Sequence, residues 1–300
     1  MSDLLAPAFP GYALLDSGAG RKLERIGHLL VDRPAPPALW RPARDAAAWA
    51  AASSRVVRTK DGGGFWEHAG AEPTGFTLDW QAANGRRVGF QIRLTAFGHC
   101  GLFFEQEPVW RLLHRTVNEL GARLGRPVKG LNLFGYTGAA SLAMAAAGAE
   151  VYHVDSAKGV LSWGQDSARA SDLGGGTVRW VHEDAGTFLA HSRKKGFTYD
   201  VILADPPSWG HGTNKQVWRF EEDIQALVSA GRAVLSDPGL LMLSSHTPGV
   251  QHHALRNLLA GSGFATVDSG EFVQQHADDP RLLPAGIFAI GRNGLDPLPL

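Results

Sequence analysis

An α/β fold with a doubly wound, mainly parallel sheet behind a small β-rich segment is what this 300-residue sequence predicts. Three observations carry that expectation. From residue 128 onward, short apolar runs alternate with helix-length segments, the pattern of β-α-β units. Runs such as Val201-Ile202-Leu203-Ala204 and Leu240-Leu241-Met242-Leu243 are apolar on both faces, as a sheet covered by helices on each side requires. Before residue 97 the chain instead offers about five short strands separated by glycine, proline and asparagine turns.

Taken in order, residues 12–15 and 23–31 alternate apolar and polar around Asp16-Ser17-Gly18-Ala19-Gly20, a hairpin signal. Pro34, Pro36, Pro37 and Pro42 then interrupt regular structure, with Trp40 as an anchor among them. Strands are expected at 56–60 and 64–68 around Asp61-Gly62-Gly63, and at 75–81 and 86–94 around Ala83-Asn84-Gly85, whose Asn-Gly suits a tight turn with positive φ. An aromatic, glycine-bearing connector from Phe97 leads to a helix that starts near Pro108 and carries Val109, Leu112, Leu113, Val117 and Leu120 at helical spacing. Seven strands follow, near 128–134, 151–155, 178–182, 200–204, 240–245, 265–271 and 286–291, with helices between them near 139–147, 157–172, 186–195, 221–235 and 250–260. The implied division is a β-rich segment (1–96), a connector and helix (97–127), and the doubly wound domain (128–300).

The 29 basic and 29 acidic residues cancel, so no strong overall field draws the chain to a polyanion. Lys and Arg outnumber Asp and Glu by 17 to 12 in residues 1–130, which leaves 12 to 17 in the rest. The front is thus +5, and Arg21, Lys22, Arg25, Arg55, Arg58, Lys60, Arg86 and Arg87 are candidates for an RNA-facing patch, against ordinary solvation. Cys100 is the one cysteine, so neither an intramolecular disulfide nor a thiolate metal site can be built; a buried structural thiol is expected. The histidines show no metal-ligand spacing, and no metal is expected. With no signal-peptide pattern and no apolar run long enough to span a bilayer, a cytoplasmic location without membrane attachment is expected. Gly62-Gly63-Gly64 and Gly174-Gly175-Gly176 lack the Lys-Ser/Thr of a phosphate loop and read as turns.

Chemistry is concentrated at strand ends, where open α/β sheets bind ligands. Leu131-Asn132-Leu133 runs into Phe134-Gly135-Tyr136-Thr137-Gly138 and then an alanine-rich helix. The two glycines would let the backbone turn and approach a ligand. Asp155 ends the second strand and can accept ribose hydroxyl protons; Asp184 follows the third and can accept from an adenine amino group. Either carboxylate alone could equally cap the next helix. After the fourth strand, Asp205-Pro206-Pro207-Ser208-Trp209 offers backbone carbonyls without N–H groups at its prolines. Trp209 is either a base-stacking platform or a loop anchor. His246, at the end of the fifth strand, is either a substrate contact or proton acceptor, or a capping residue.

Together with His182-Glu183-Asp184-Ala185 and Val154-Asp155-Ser156, these segments resemble the successive motifs of class I S-adenosylmethionine-dependent methyltransferases. More narrowly, they are similar to bacterial large-subunit ribosomal RNA methyltransferases acting on C5 of cytidine or N7 of guanosine. The connector stretch ending in Phe104-Glu105-Gln106 resembles a segment of that group. The resemblance implies a Rossmann-like domain that binds S-adenosylmethionine. In it Phe134, Gly135, Tyr136, Thr137 and Gly138 would surround the methionine end, Asp155 and Ser156 the ribose, and Asp184 and Ala185 the adenine. Gln106 would join the cofactor site, and Asp205, Pro206 and Pro207 would line the transfer site. The three-glycine dinucleotide loop is unnecessary because this cofactor lacks a pyrophosphate. The resemblance departs at Ser244-Ser245-His246-Thr247-Pro248, where members acting on cytidine C5 carry a nucleophilic cysteine. An RNA base methylated at nitrogen is therefore expected. A protein or small-molecule acceptor, or a non-catalytic RNA- or ribosome-binding module that retains the cofactor, are the alternatives. Oligomeric state is not legible.

Overall fold

The computed structural model describes residues 3–59, 63–95, 98–213 and 217–295. Lys60, the Asp61-Gly62 part of one expected turn, and Phe97 lie outside them. The chain begins with strand β1 (Leu4–Ala6), then β2 (Tyr12–Gly18), β3 (Arg21–Ile26) and β4 (Leu29–Pro34), a short helix α1 (Ala46–Ala50), β5 (Ser54–Arg58) and β6 (Gly64–His68). Strands β2 to β6 form a five-stranded sheet in chain order. The run at 23–31, expected to be one strand, is two: Gly27, at φ +58, turns the chain where a side chain would meet the Phe76 ring at 2.5 Å. Next come β7 (Phe76–Gln81) and β8 (Arg87–Ile92), a separate antiparallel ribbon closed at Gly85 (φ +81) as its Asn-Gly pair predicts.

A 3-10 turn at Phe104–Gln106 feeds helix α2 (Glu107–Leu124), which has Pro108 in its first turn and ends at left-handed Gly125. The alternating part then follows: β9 (Lys129–Leu133), α3 (Ala139–Ala146), β10 (Glu150–Asp155), α4 (Lys158–Arg169), β11 (Thr177–His182), α5 (Ala185–Lys194) and β12 (Tyr199–Ala204). After a small hairpin, β13 (Trp209–His211) and β14 (Val217–Arg219), come α6 (Phe220–Ala233), β15 (Leu235–Ser245), α7 (His252–Gly261), β16 (Thr266–Gln275) and β17 (Leu282–Asn293). The large sheet is ordered β1-β16-β17-β15-β12-β9-β10-β11, parallel except where β17 runs antiparallel between β15 and β16.

That sheet has eight strands rather than the expected seven. The extra one, β1, comes from the front of the chain and pairs in parallel with Phe272 to Gln274 of β16. Three residues show too little alternation to announce a strand, yet Leu4 and Ala6 are buried by it. The β7–β8 ribbon is also packed on the sheet's helices. Its side chains Trp80, Val88 and Phe90 share one core with Trp110 and Leu113 of α2 and Met144 of α3, and Trp80 Nε1 donates to Glu107 Oε1 at 2.9 Å.

Most of the basic candidates in the front half are occupied internally. Arg21 and Arg55 flank buried Asp32, and Lys22 pairs with buried Glu24, which Arg33 also grips. Arg86 donates to the carbonyls of Ala146 and Leu173, and Arg87 pairs with Asp79. Arg25 and Arg58 are exposed, with no ion-pair partner among the described residues. The Glu24 cluster reaches across to the large sheet, because the Tyr12 hydroxyl donates to Glu24 and accepts from Gln274 of β16. Burial alone would oppose ionisation of Glu24, but Arg33 and Lys22, with the Tyr12 hydroxyl, outweigh it and hold the carboxyl at about 2.

Glu24→Ala strands two cations in this interior and is expected to cost about 3–5 kcal/mol in urea unfolding at neutral pH. A depressed carboxyl stabilises the fold above its unfolded value and loses that contribution as pH falls through the folded one. The gap between wild type and variant should therefore shrink as pH falls from about 4.5 to about 2. A gap constant with pH would contradict the role of the charge.

Candidate functional site

The loop between β9 and α3 carries two non-glycine residues in left-handed conformation, Phe134 (φ 54) and Tyr136 (φ 52), and then Gly138 (φ 89). Such backbone persists only where neighbours over-determine it. Here β10 does so with two side chains from the same face. Asp155 Oδ2 accepts from the Tyr136 N–H at 2.9 Å, and His153 Nε2 lies 3.1 Å from the Tyr136 carbonyl oxygen. Thr137 Oγ1 donates to the Gly101 carbonyl at 2.5 Å, joining the loop to the connector.

The protonation of His153 follows from its partners. Asn132 Nδ2 donates to Ser141 Oγ at 2.9 Å, and the Ser141 hydroxyl donates to His153 Nδ1 at 2.9 Å, so Nε2 carries the hydrogen given to Tyr136. The ring is fully buried, and desolvation pushes it down to about 3, against the opposing pull of the Tyr136 carbonyl. Gly135 opens the expected turn, its carbonyl accepting from the Gly138 N–H at 3.0 Å, without a left-handed φ of its own. Its requirement is space, because a Cβ there would lie 2.4 Å from His153 Cε1. Neither His153 nor Ser141 was singled out in the sequence. The available signal was a histidine inside the otherwise apolar strand Val151-Tyr152-His153-Val154, where a buried polar group needs a partner.

The loop opens on a cleft of about 390 Å³ at the carboxyl ends of the central strands. Of the sequence candidates, Phe134, Tyr136, Asp155, Ser156, Asp184, Ala185, Asp205, Pro206, Pro207 and His246 line it. Gln106, Gly135, Thr137 and Gly138 line a small recess that adjoins it and shares Phe134, Tyr136 and Asp205. Asp155 does not cap α4; its Oδ1 accepts from the Ala157 N–H at 2.8 Å in a tight turn. Burial raises its carboxyl above the usual range, against the hydrogen bonds from Ala157 and Tyr136. Asp184 both caps α5, through Oδ1 and the Thr187 N–H at 3.1 Å, and lines the cleft, so its two readings are compatible. Its Oδ2 has no protein partner among the described residues.

Asp205 is fixed at both oxygens: Gln106 Nε2 donates to Oδ2 at 2.6 Å and Ser244 Oγ to Oδ1 at 2.6 Å. Trp209 stands outside the cleft, 57 % exposed, edge-on to His211 at 4.5 Å. Strand alternation explains this. Trp209 pairs with Arg219 in the β13–β14 hairpin, while the next pair, Gly210 and Trp218, lines the cleft. Trp218 lies 5.0 Å from Phe134, and its Nε1 donates to the Pro207 carbonyl at 2.6 Å. Cys100 is buried, hydrogen-bonded to the Leu102 carbonyl, and outside the cleft lining; burial pushes its thiol up.

A family model described as S-adenosylmethionine-dependent methyltransferase matches residues 41–260 of the chain. The chain belongs to that family. Among solved structures, an S-adenosylmethionine-dependent methyltransferase from Agrobacterium tumefaciens is 33 % identical, with a TM-score of 0.85 over 97 % of this chain and 96 % of the other. The SMU.776 protein complexed with S-adenosylhomocysteine shares the fold at 21 % identity and a TM-score of 0.69, over 97 % of this chain and 76 % of its own. A curated relative, the ribosomal RNA large subunit methyltransferase K/L of Pseudoalteromonas translucida, is 30 % identical over 53 % of this chain and 21 % of its own length. Its counterpart in Alteromonas mediterranea is 29 % identical over 55 % and 22 %. The chain thus spans about a fifth of the length of these curated relatives. No helix among the described residues of this methyltransferase is long and apolar enough to cross a membrane.

Two measurements check the loop. Gly135→Ala should weaken S-adenosylhomocysteine binding at least about tenfold in calorimetry, a cost of about 1.4 kcal/mol, while the circular dichroism spectrum is retained. Because the fold keeps His153 neutral, its contribution is complete above about pH 6.5 and drains as pH falls toward about 3. Thermal unfolding of His153→Gln should therefore change less over that window than the wild type, and parallel curves would contradict the assignment.

Proposed function

We propose that this methyltransferase modifies a nucleobase of ribosomal RNA at a nitrogen. The observation that carries the choice of atom is the carboxyl end of β15. Ser244 and Ser245 stand there, both buried, and Ser244 is committed to Asp205. Carbon-5 of cytosine must be activated by covalent addition of a nucleophile, and no thiol lines the cleft. A nitrogen with its own lone pair needs orientation more than activation. The names of the curated relatives support RNA as the acceptor.

The residues of the cleft fit S-adenosylmethionine. Gly135 and Gly138 line the recess that adjoins the cleft and pack directly on His153 and Trp180, where a Cβ would lie 2.4 and 2.9 Å away. Asp155 accepts ribose hydroxyl protons, and Ser156 lies beside it. Asp184 Oδ2 suits the adenine amino group, with Ala185 next to it. Phe134 and Trp218 supply apolar faces, and Gln106 borders the methionine end through Asp205. When bound, the cofactor supplies a methyl group on a sulfonium, an activated leaving arrangement. Asp205, held by Gln106 and Ser244, then orients the acceptor. Pro206 and Pro207 contribute no N–H, and Trp218 already occupies the Pro207 carbonyl.

Asp155→Ala should weaken S-adenosylhomocysteine binding about 100-fold, since it removes charge-assisted hydrogen bonds of about 1.5–3 kcal/mol each. Incubating the protein with methyl-labelled cofactor and RNA from a strain lacking its gene should place label in RNA. Label in protein or small molecules alone would refute the RNA reading.

A further inference from the structure

His246 extends from the end of β15 into the cleft, and its Nε2 lies 4.0 Å from Asp205 Oδ1. Phe103 and Phe272 stack against the ring, with centroids at 6.1 and 6.3 Å and interplanar angles of 27° and 20°. The opposite edge abuts Gly286, where a Cβ would meet Nδ1 and Cε1 at 2.7 Å. A side chain at that position would push the ring; glycine leaves Nε2 turned toward Asp205. Asp205 in turn cannot swing, because Gln106 and Ser244 hold its two oxygens. Asp205 Oδ1 and His246 Nε2, 4.0 Å apart, are too distant to be joined by a direct hydrogen bond. One nitrogen fits between them at about 2.9 Å from each, the normal N–H···O and N–H···N separation.

We propose that this pair receives an exocyclic amino group of a nucleobase, with His246 Nε2 accepting the proton that the nitrogen loses. The proposal rests on the reading of the acceptor as an RNA base nitrogen and narrows it. An amino group has two hydrogens for two acceptors. One goes to Asp205 Oδ1, whose other lone pair takes the Ser244 hydroxyl, and one to His246 Nε2, which the proposal requires to be the unprotonated nitrogen, with the ring hydrogen on Nδ1. A ring nitrogen such as N7 of guanine has a lone pair and no hydrogen, so it would face two acceptors with nothing to donate. A carbon acceptor would require the missing thiol. Phe103, which also lies 5.4 Å from the Tyr136 ring, gives this corner an aromatic wall suited to a flat acceptor.

The step balances without a further reactant. The amino lone pair forms the new N–C bond as the methyl C–S bond breaks with its electron pair left on sulfur. The N–H pair stays on nitrogen and the proton moves to Nε2. Asp205 stabilises the imidazolium, and the His246 side chain, 38 % exposed, releases the proton to water.

The test begins with S-adenosylhomocysteine calorimetry on wild type, His246→Asn and His246→Phe. Methyl transfer is then run on RNA from the deletion strain, with the product digested to nucleosides. Binding of S-adenosylhomocysteine within twofold across the three proteins is expected, with turnover of both variants reduced about 100-fold or more. The label should sit on N6 of adenosine, N4 of cytidine or N2 of guanosine. Label on a ring nitrogen or on carbon-5, or variants that turn over within threefold of wild type, would overturn the proposal while leaving the RNA reading intact. Variants that lose cofactor binding in proportion to turnover would also overturn it, because His246 would then act on the cofactor site. Label absent from RNA would remove the RNA reading, and this proposal with it.

Discussion

The site depends on one constraint: the backbone of Tyr136, held through its N–H and its carbonyl by two side chains of β10. Its N–H is taken by Asp155 and its carbonyl by His153, two residues apart on one strand face. This arrangement lets two non-glycine residues stay left-handed next to the cleft, a backbone state that costs of order 1–3 kcal/mol each when unsupported. It also gives Asp155 a second task. The carboxylate that lines the cleft is the one that shapes the adjoining loop, so both are set by a single strand.

The support beneath that clamp is a line of neutral hydrogen bonds through three elements: Asn132 on β9, Ser141 on α3 and His153 on β10. A charged histidine would break it, since protonation of Nδ1 would leave Ser141 facing a donor. Burial prevents this by disfavouring the imidazolium. The absence of a side chain at Gly135 is part of the same packing, because the His153 ring fills the space. Elsewhere in the cleft, Asp205 is immobilised comparably by Gln106 from the connector and Ser244 from β15. The cleft is thus lined by hydrogen-bonded strand ends, with the β13–β14 hairpin contributing Trp218.

Strand ends were the legible part of this molecule. Asp155, Asp184 and Asp205 each stand at or just after the carboxyl end of a strand, and spacing alone brought them to one edge of the sheet. What the sequence hid was either too short or non-local. Strand β1 has three residues and is defined by a partner some 270 positions away, a separation no local pattern reports. Trp209 and Trp218 are indistinguishable by composition, and only the register of a small hairpin decides which one enters the cleft. The basic residues of the front half left solvation and an RNA-facing patch open, and a charge count could not show that Arg21, Lys22 and Arg55 serve buried Asp32 and Glu24. Gly135 was legible as a turn residue, but its contact with His153 was not, because that partner comes from the next strand.

The central claim is that the loop from Phe134 to Gly138 is held in place by the protein's own hydrogen bonds, before any cofactor binds. Amide hydrogen exchange at Tyr136 tests it most directly, because that N–H is donated to Asp155 within the protein itself. Strong protection in the cofactor-free protein, changed little by saturating S-adenosylhomocysteine, is the result this account predicts. Rapid exchange in the free protein that slows only on binding would show that the ligand orders the loop, and would contradict it.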